Sequence, residues 1–307
     1  MPPDLAILYE HPKWFEPLFA ALDRRGIAYQ AIRLSDHRFD PASHDIPAPV
    51  VFSRVAMSSF LREADHGIFY AQSLLSHWSA RGAHVLNGAN VLAIDSSKAR
   101  QLSLVAGLGL AIPETRVVHR AEDLVAAART LRFPLLVKAN IGGSGAGIVR
   151  YASEDELAAS VRDRNVPDSI DKVLLVQDYA PARGGVITRI ETLGGRFLYA
   201  IEVESGGDRF DLCPADACLA APGRSAIRME AVTPAPNIVD AAERIAQAVG
   251  MDVGGVELLT DDRDGVARFY DVNALSNFVA NPLDVLGWDP HERLVDYIAA
   301  TIAKGQP

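Results

Sequence analysis

The sequence predicts an α/β protein that begins with a parallel-sheet domain and continues into a two-part α+β unit. Short apolar runs alternate with helical patterns over the first 95 residues. A glycine-dense turn lies between two apolar runs in the middle of the chain, and a long hairpin and acidic strand ends occupy the last third. Alternating strands and helices are typical of a parallel sheet covered on both faces, whereas hairpins are typical of antiparallel sheets.

The N-terminal region, residues 1–95, is expected to form the parallel-sheet domain. Its first helix carries apolar residues at helical spacing, including Trp14, Leu18 and Leu22, and Gly26 follows as a stop signal. A second helix is predicted over residues 69–81. The strands of this region are predicted at residues 5–9, 27–34, 50–52 and 84–86.

The rest of the chain is predicted to form two subdomains, over residues 96–176 and 177–307. Ser97 is a candidate cap for a helix that runs to about residue 106. Further helices are predicted at residues 121–131, 155–162, 238–249 and 291–302. Strands are predicted at residues 117–118, 135–138, 148–151, 173–176, 186–192, 197–204, 253–259 and 269–273.

The composition of the chain argues against several classes of protein. The chain has 307 residues and a net charge of -9, which argues against a basic nucleic-acid surface. The first residues lack the pattern of a signal peptide, and no apolar run approaches the roughly 18 residues of a membrane span. Cys213 and Cys218 are too few for a disulfide scaffold, and no CxxC or HxxxH pair accompanies them to bind zinc. We expect a cytoplasmic enzyme with no membrane or nucleic-acid partner.

A glycine-rich segment follows directly after a strand that ends in Lys138. Four glycines lie within residues 142–147, where a loop without side chains can expose backbone amides to a phosphate. The P-loop pattern GxxxxGK[ST] is absent. The segment is not a Rossmann turn either, because a strand at residues 148–151 follows where a Rossmann helix would begin. The segment is interpreted as a flap over a nucleotide or as an ordinary flexible hairpin. Burying the Lys138 ammonium without a partner would cost free energy. The expected partner is either a phosphate or a nearby carboxylate.

Oxygen-bearing side chains occupy two strands near the C-terminus. Glu257 lies in an apolar strand, and Asp271 and Asn273 lie two residues apart, so they share one face of the next strand. Three such oxygen donors suit Mg²⁺. The alternative for Glu257 is a structural salt bridge. The aspartates of the turn at residues 261–265 are interpreted as solvated.

Together these segments resemble the ATP-grasp superfamily, most closely the branch of ribosomal protein glutamate ligases and related amino-acid ligases. The resemblance runs in order from about Asp95 to the C-terminus, some two-thirds of the chain. It implies a two-subdomain ATP-grasp fold after the N-terminal α/β domain. The matching segments are Asp95-Ser96-Ser97-Lys98, Leu135-Leu136-Val137-Lys138, residues 142–147, Leu175-Val176-Gln177-Asp178-Tyr179, Thr188-Arg189, Gly255-Val256-Glu257 and Asp271-Val272-Asn273.

The resemblance also implies roles for individual residues. Lys98 and Lys138 would hold the α- and β-phosphates of ATP, and Arg189 would lie opposite the γ-phosphate and the later acyl-phosphate. The loop that would close over the phosphates contains Gly142, Gly143, Ser144, Gly145 and Gly147. The hinge that would read the adenine edge through its backbone is Gln177, Asp178 and Tyr179. The residues that would bind one or two Mg²⁺ ions, with Mn²⁺ as a substitute, are Glu257, Asp271 and Asn273.

The implied reaction joins a carboxylate to an amine through an acyl-phosphate and releases ADP and phosphate. An ATP-grasp phosphotransferase or carboxylase, or a nucleotide-binding regulatory module without turnover, is the alternative. The substrates are expected to be small molecules, with an amino acid or a peptide among them, and a homodimer is expected by family analogy.

The sequence departs from the family where substrates would bind. The segment after the hinge, Ala180-Pro181-Ala182-Arg183, lacks the usual acidic residue for the ribose, so ribose contacts are unassigned. The segment at residues 210–218 is also unlike that of the glutamate ligases, so glutamate specificity is not transferred. Candidate substrate residues are Arg54, at the end of a strand that faces the crevice, with a surface arginine as the alternative, and Ser276 and Asn277.

Overall fold

The protein is described from a computed structural model. The structure describes residues 3–62, 67–143, 145, 147–204, 228–274 and 278–305. Within these ranges, no helix combines the length and the apolar character that crossing a membrane requires. Several residues considered above lie outside the described residues, namely Ser144, Cys213, Cys218, Ser276 and Asn277.

The first sheet is parallel throughout, as the alternating pattern predicts. Its strand order is β2-β1-β3-β4. The elements are β1 (Leu5–Tyr9), α1 (Pro12–Arg24), β2 (Tyr29–Arg33), β3 (Val50–Arg54), α2 (Gly67–Ala80), β4 (His84–Leu86) and α3 (Ala89–Asp95). The inner strands are almost wholly apolar because both of their faces are buried, which is usual in parallel sheets.

The second sheet is antiparallel and has the order β5-β8-β6-β7. Its elements are α4 (Lys98–Gly107), β5 (Thr115–Val118), α5 (Leu124–Ala128), β6 (Leu135–Ala139), β7 (Ile148–Tyr151), α6 (Glu154–Arg162) and β8 (Leu174–Asp178). Helix α5 is shorter than the predicted segment 121–131, because its start is a 3₁₀ turn over Ala121–Asp123. Leu135 and Val137 pack with Leu124 and Leu157 on one face of the sheet.

The third sheet is also antiparallel, with the order β11-β10-β9-β12-β13. Its elements are β9 (Val186–Leu193), β10 (Arg196–Glu204), β11 (Met229–Val232), α7 (Pro236–Val249), β12 (Val253–Thr260), β13 (Ala267–Asn273), α8 (Pro282–Val285) and α9 (Pro290–Gly305). The mixture of one parallel and two antiparallel sheets confirms the predicted fold class.

The third sheet packs against different partners on its two faces. On one face, Ile190 and Val256 join a core with residues of α4 and α7. On the other face, Ile187 and Val203 share a core with Phe52 of β3 and with α1 and α9. The first and third sheets therefore share one core together with α1 and α9. The predicted division of the chain at residues 95 and 176 stays a prediction.

Candidate active site

Three charged residues lie side by side on three adjacent strands of the third sheet. Arg189 of β9 is opposite Glu257 of β12, and Glu257 is opposite Asp271 of β13. Asn273, two residues after Asp271, shares their face because side chains alternate along a strand. Val256 is fully buried on the opposite face. The structure thus brings together the three predicted metal donors and Arg189.

Direct contacts join these side chains. The Arg189 Nη1 donates to Glu257 Oε1 at 3.0 Å, and the Asn273 amide Nδ2 donates to the same oxygen at 3.1 Å. The Lys98 Nζ donates to Asp271 Oδ1 at 2.5 Å. The donor set consists of hard oxygens, which fits Mg²⁺. It contains two carboxylates, and a group of three or more acid, histidine or cysteine side chains suited to a metal is not found within the described part of the chain.

Burial dominates the electrostatics of this cluster. Burial raises the pKa of Glu257, although Arg189 opposes this effect. Burial alone would lower the pKa of Lys98, but Asp271 and other nearby carboxylates raise it above its ordinary value. Lys98 is therefore not a solvated surface lysine but part of an ion pair whose two side chains are 16% and 19% exposed.

Lys138 is the buried cation that differs from the others. It is 8% exposed on β6, and its Nζ lies 5.8 Å from the ring centre of Tyr270 on the third sheet. Burial, together with repulsion from Lys98, lowers the pKa of Lys138 to about 8. No ion pair formed by the described residues includes Lys138, whereas Lys98 has Asp271. Asp271 and Glu257 are near enough to oppose this lowering of the pKa, and a phosphate as the partner of Lys138 stays a prediction.

The glycine-rich segment connects β6 to β7 as a hairpin, so it is neither a P-loop nor a Rossmann turn. A Cβ on Gly143 would lie 2.8 Å from the Ser58 Cβ, so only glycine permits this approach to the N-terminal domain. Gly147 has a φ of +72°, and a Cβ there would lie 2.8 Å from the Ala139 Cβ. Gly145 also has a positive φ, of 75°. Gly142 comes directly before Gly143, the residue that lies against Ser58. Gly145 and Gly147 thus adopt a conformation that favours glycine, and the role of this segment as a flap stays a prediction.

Two side chains fix the start of α4, where Lys98 lies. Ser97 caps α4 by accepting from the Arg100 amide, as predicted. Asn140, which directly follows β6, accepts from the Ala99 amide through Oδ1 at 2.9 Å. The start of α4 is thus tied to the strand that carries Lys138.

Two further buried side chains position β13. Gln101 Oε1 accepts from the Val272 amide at 3.1 Å, and Asp95 Oδ1 accepts from the Ala274 amide at 2.9 Å. Burial raises the pKa of Asp95 to about 7. The sequence carried a signal for Asp95, which stands in the matched segment, but it carried none for a hydrogen bond that spans the fold.

The predicted hinge lies at the end of β8. The Gln177 side chain donates to the Thr115 hydroxyl at 2.9 Å. The backbone amides of Asp178 and Tyr179 donate within the protein, to carbonyl oxygens of Glu114 and Pro134. The adenine-reading role of this backbone stays a prediction, and it falls to groups other than these two amides.

The turn between β12 and β13 corrects one interpretation. Asp261 is fully buried, whereas the sequence analysis treated the aspartates of this turn as solvated. Its carboxylate pairs with Arg263 at 2.6 Å and with Arg268 at 3.0 Å. Arg263 also pairs with Asp178 at 2.6 Å, so the turn is fastened to the hinge. The sequence analysis predicted exposure because aspartate is charged. In the structure, Arg263 and Arg268 compensate the charge of the buried Asp261.

Arg54 is the last residue of β3 and is only 3% exposed. The alternative of a surface arginine is therefore wrong. Burial lowers the pKa of Arg54 to about 9, with Glu191 acting in the opposite direction. Glu191 is two residues after Arg189 on the same face of β9, and Arg189 Nε donates to it at 2.6 Å. The sequence analysis missed Glu191, although the two-residue spacing from Arg189 was visible.

Most of the chain is similar to known proteins. A family model described as the RimK-like ATP-grasp domain matches residues 95–298. A "Probable alpha-L-glutamate ligase" of Trichodesmium erythraeum (strain IMS101) is 25% identical over 244 residues, which is 77% of this chain and 75% of the relative. A "Ribosomal protein bS6--L-glutamate ligase" of Salmonella newport (strain SL254) is 29% identical over 194 residues, 62% of this chain and 60% of the relative.

Solved structures show the same fold. The ATP-grasp ligase PsnB, solved with a minimal precursor, Mg and ADP, superposes with a TM-score of 0.67 and 16% identity. The superposition covers 97% of each chain. It therefore includes the N-terminal α/β region, which the family model does not cover.

Proposed function

The chain belongs to the RimK-like ATP-grasp family, and from this premise we propose that it is an ATP-dependent carboxylate–amine ligase. The reaction forms an amide bond through an acyl-phosphate and releases ADP and phosphate. The observation that carries the proposal is the convergence of Lys98, Lys138 and Arg189 on the oxygen donors of β12 and β13. Because the similar proteins are ligases, amide-bond formation is favoured over a phosphotransferase, a carboxylase or a module without turnover.

The cations have the electrostatic task in this proposal. Family membership implies ATP and Mg²⁺ as the nucleotide and the metal, and one or two Mg²⁺ ions would neutralise phosphate charge. Glu257, Asp271 and Asn273 would hold the metal, and Mn²⁺ would serve as a substitute. Among the described residues no carboxylate pairs with Lys138, so Lys138 would meet a phosphate directly. Cations fixed beside a transferring phosphoryl group stabilise the charge that it develops.

Lys98 and Arg189 would exchange partners when nucleotide and metal bind. In the described structure each neutralises a predicted metal ligand, Asp271 for Lys98 and Glu257 for Arg189. A divalent ion on these carboxylates would release both cations towards the phosphates. The pairs therefore keep the buried acids compensated until the ligand arrives, since an unpaired buried carboxylate is costly.

The substrates are assigned more coarsely. The names of the similar proteins mention a ribosomal protein and a minimal precursor. We propose a small carboxylate and an amine as the substrates, with an amino acid or a peptide among them. Arg54, at the carboxyl end of β3, would bind a substrate carboxylate. Homodimerisation and a cytoplasmic location stay predictions.

The test is the dependence of ADP release on two substrates. The full chain is incubated with Mg-ATP and pools of carboxylic acids and amines, alone and combined, while ADP, phosphate and coupled products are measured. A ligase produces a new amide mass and full ADP release only when both pools are present. ADP release with one acceptor and a phosphorylated product would instead indicate a kinase, and absence of turnover in every pool would refute the ligase.

A further inference from the structure

The residue that follows the predicted metal ligand Asn273 is held by two side chains from the N-terminal part of the chain. The Ala274 carbonyl oxygen accepts from Asn87 Nδ2 at 2.5 Å, and the Ala274 amide donates to Asp95 Oδ1 at 2.9 Å. Asn87 lies between β4 and α3, and Asp95 is the last residue of α3. Both are buried, with exposed fractions of 2% and 8%. Both backbone polar groups of the residue just after β13 are therefore fixed.

The Asn87 carboxamide takes the place of a peptide group beside β12. The register between β12 and β13 stops at Asn273. Beyond it, Asn87 Oδ1 accepts from the amides of Asp252 and Val253 at 2.9 and 3.3 Å. Asn87 Nδ2 donates to the Val253 carbonyl oxygen at 2.7 Å. Because Nδ2 also donates to Ala274, one side chain joins the start of β12 to the end of β13.

Two backbone features allow this arrangement. Asn87 has a φ of +50°, a left-handed conformation that glycine and asparagine tolerate best, and its amide donates to Asp252 Oδ2 at 2.8 Å. A Cβ on Gly254 would lie 2.6 Å from the Asn273 carbonyl oxygen and 2.9 Å from the Ala274 Cα. Glycine at this position therefore permits the close contact between β12 and the end of β13.

We propose that Asn87 and Asp95 are positioning residues for the metal site, which hold Ala274 so that the side chain of Asn273 stays beside Glu257. This inference rests on the metal site of the proposed ligase function. Asn273 Nδ2 donates to Glu257 Oε1 at 3.1 Å, so its side chain already points at the acidic group. Residues behind a metal ligand fix its orientation and thereby affect the affinity for the metal.

The position of Asn87 gives the N-terminal region a part in this site. Asn87 directly follows β4, the edge strand of the first sheet, and Leu86 of β4 packs in the same core as Val253. The ATP-binding residues proposed above lie on the second and third sheets and on α4. The first sheet would therefore support the metal site through Asn87, although it supplies none of the predicted metal ligands.

The alternative is a joint that only stabilises the packing of the N-terminal region on the third sheet. Breaking such a joint would lower the melting temperature without changing the affinity for metal. Tyr297 provides the matched control, because its hydroxyl donates to Asp252 Oδ1 at 2.8 Å. Tyr297→Phe thus removes a hydrogen bond of the same joint at Asp252 rather than at Ala274.

The experiment measures metal binding to the full chain without turnover. The probe is Mn²⁺ in the presence of ADP, and the electron paramagnetic resonance signal of the free ion reports how much is bound. Asn87→Gly keeps the left-handed conformation and removes the carboxamide, and we expect it to weaken Mn²⁺ binding about 10- to 100-fold. Tyr297→Phe should retain the wild-type affinity. Equal affinities in wild type, Asn87→Gly and Tyr297→Phe would show that the joint is only structural.

A second pair of variants tests Asp95 independently of Asn87. Asp95→Ala removes the acceptor of the Ala274 amide and should weaken Mn²⁺ binding to a similar extent, whereas Asp95→Asn keeps an acceptor oxygen and should restore most of the affinity. If Asp95→Asn binds as weakly as Asp95→Ala, the residue acts through its charge, and its positioning role is refuted.

Hydrogen exchange provides a readout at the strand end itself. Asn87→Gly leaves the Asp95 acceptor in place, yet the Ala274 amide should exchange faster because the other side of the residue is no longer held. Tyr297→Phe should leave this exchange rate unchanged. An Ala274 amide that stays fully protected in Asn87→Gly would contradict a shared action of the two side chains.

Failure of this inference is distinguishable from failure of the ligase proposal, because amide formation is tested with the wild-type chain. Wild-type amide formation together with unchanged Mn²⁺ affinity in Asn87→Gly and Asp95→Ala leaves the ligase and removes the positioning pair. Weakened Mn²⁺ binding in both variants without wild-type amide formation keeps the pair and removes the ligase. Absence of Mn²⁺ binding by the wild type would refute the metal site and the positioning pair together.

Discussion

Buried charges on the third sheet form ion pairs, whereas the described residues provide no ion pair for the buried lysine at the end of β6. On the third sheet, Arg189 pairs with Glu257 and Glu191. Lys138, on β6, forms no ion pair with the residues that the structure describes, and burial together with repulsion from Lys98 lowers its pKa to about 8. The comparison teaches that one part of the site is compensated before any ligand binds, whereas the other depends on the ligand. Substitutions should accordingly destabilise the first part and stabilise the second.

The largest expected effect is the loss of Arg189. Arg189→Met should lower the free energy of unfolding by roughly 3–5 kcal/mol, because it leaves two buried carboxylates without their cation. Urea denaturation at neutral pH measures the change. The matched control, Arg196→Met, removes a pair with Glu243 in which the arginine side chain is 75% exposed, and should change stability by less than about 1 kcal/mol. Equal losses in both variants would contradict the contrast.

Turnover should depend on both parts. Lys138→Ala and Asp271→Ala should each reduce ADP formation on the order of 100- to 1,000-fold, because each removes a group expected to stabilise transferred charge. Steady-state assays with circular dichroism of the purified variants separate loss of function from unfolding. Lys304→Ala and Asp123→Ala alter residues outside the site and should retain wild-type rates. Near-wild-type turnover in either site variant would refute its role.

Removing the unpaired cation should stabilise the protein. Lys138→Met is expected to raise the free energy of unfolding by about 1–3 kcal/mol at pH 7, because a desolvated ammonium is lost. The folded pKa of Lys138, about 8, lies below its ordinary value of 10.5. The unfolded chain thus binds the extra proton between these values, and wild-type stability rises with pH across this window. The advantage of the variant should shrink over the same range.

Denaturant titrations of both proteins at several pH values between 7 and 10.5 measure this difference directly. Lower stability of Lys138→Met at pH 7 would show that Lys138 already has a compensating partner in the protein alone.

The smallest expected effect concerns the cap that places Lys98. Ser97→Ala should cost about 1 kcal/mol of stability through loss of the α4 cap. Ser153→Ala is the matched control, since Ser153 caps α6 by accepting from the Glu156 amide. Both variants should lose similar stability, but only Ser97→Ala should raise the KM for ATP. An unchanged KM would mean that Lys98 does not need this cap to reach its position.

The sequence by itself determined the elements and the local patterns. Apolar runs between helical patterns predicted the first sheet, and the spacing of Asp271 and Asn273 placed both on one strand face. The glycines after Lys138 predicted a hairpin, which β6 and β7 form. Ser97 was also recognised as a cap. These features depend on neighbours within a few residues, which is the range over which backbone periodicity and capping act.

Only the tertiary structure decided which charges meet. The pairs of Lys98 with Asp271, of Arg189 with Glu257 and of Arg263 with Asp178 join residues through strand register or through packing of separate elements. A lysine or an aspartate carries no local mark of its burial, because the cost of burial depends on the dielectric and the partners that the whole fold supplies. For the same reason Arg54 could be placed at a strand end from its neighbours, but its burial beside Glu191 required the packing of two sheets.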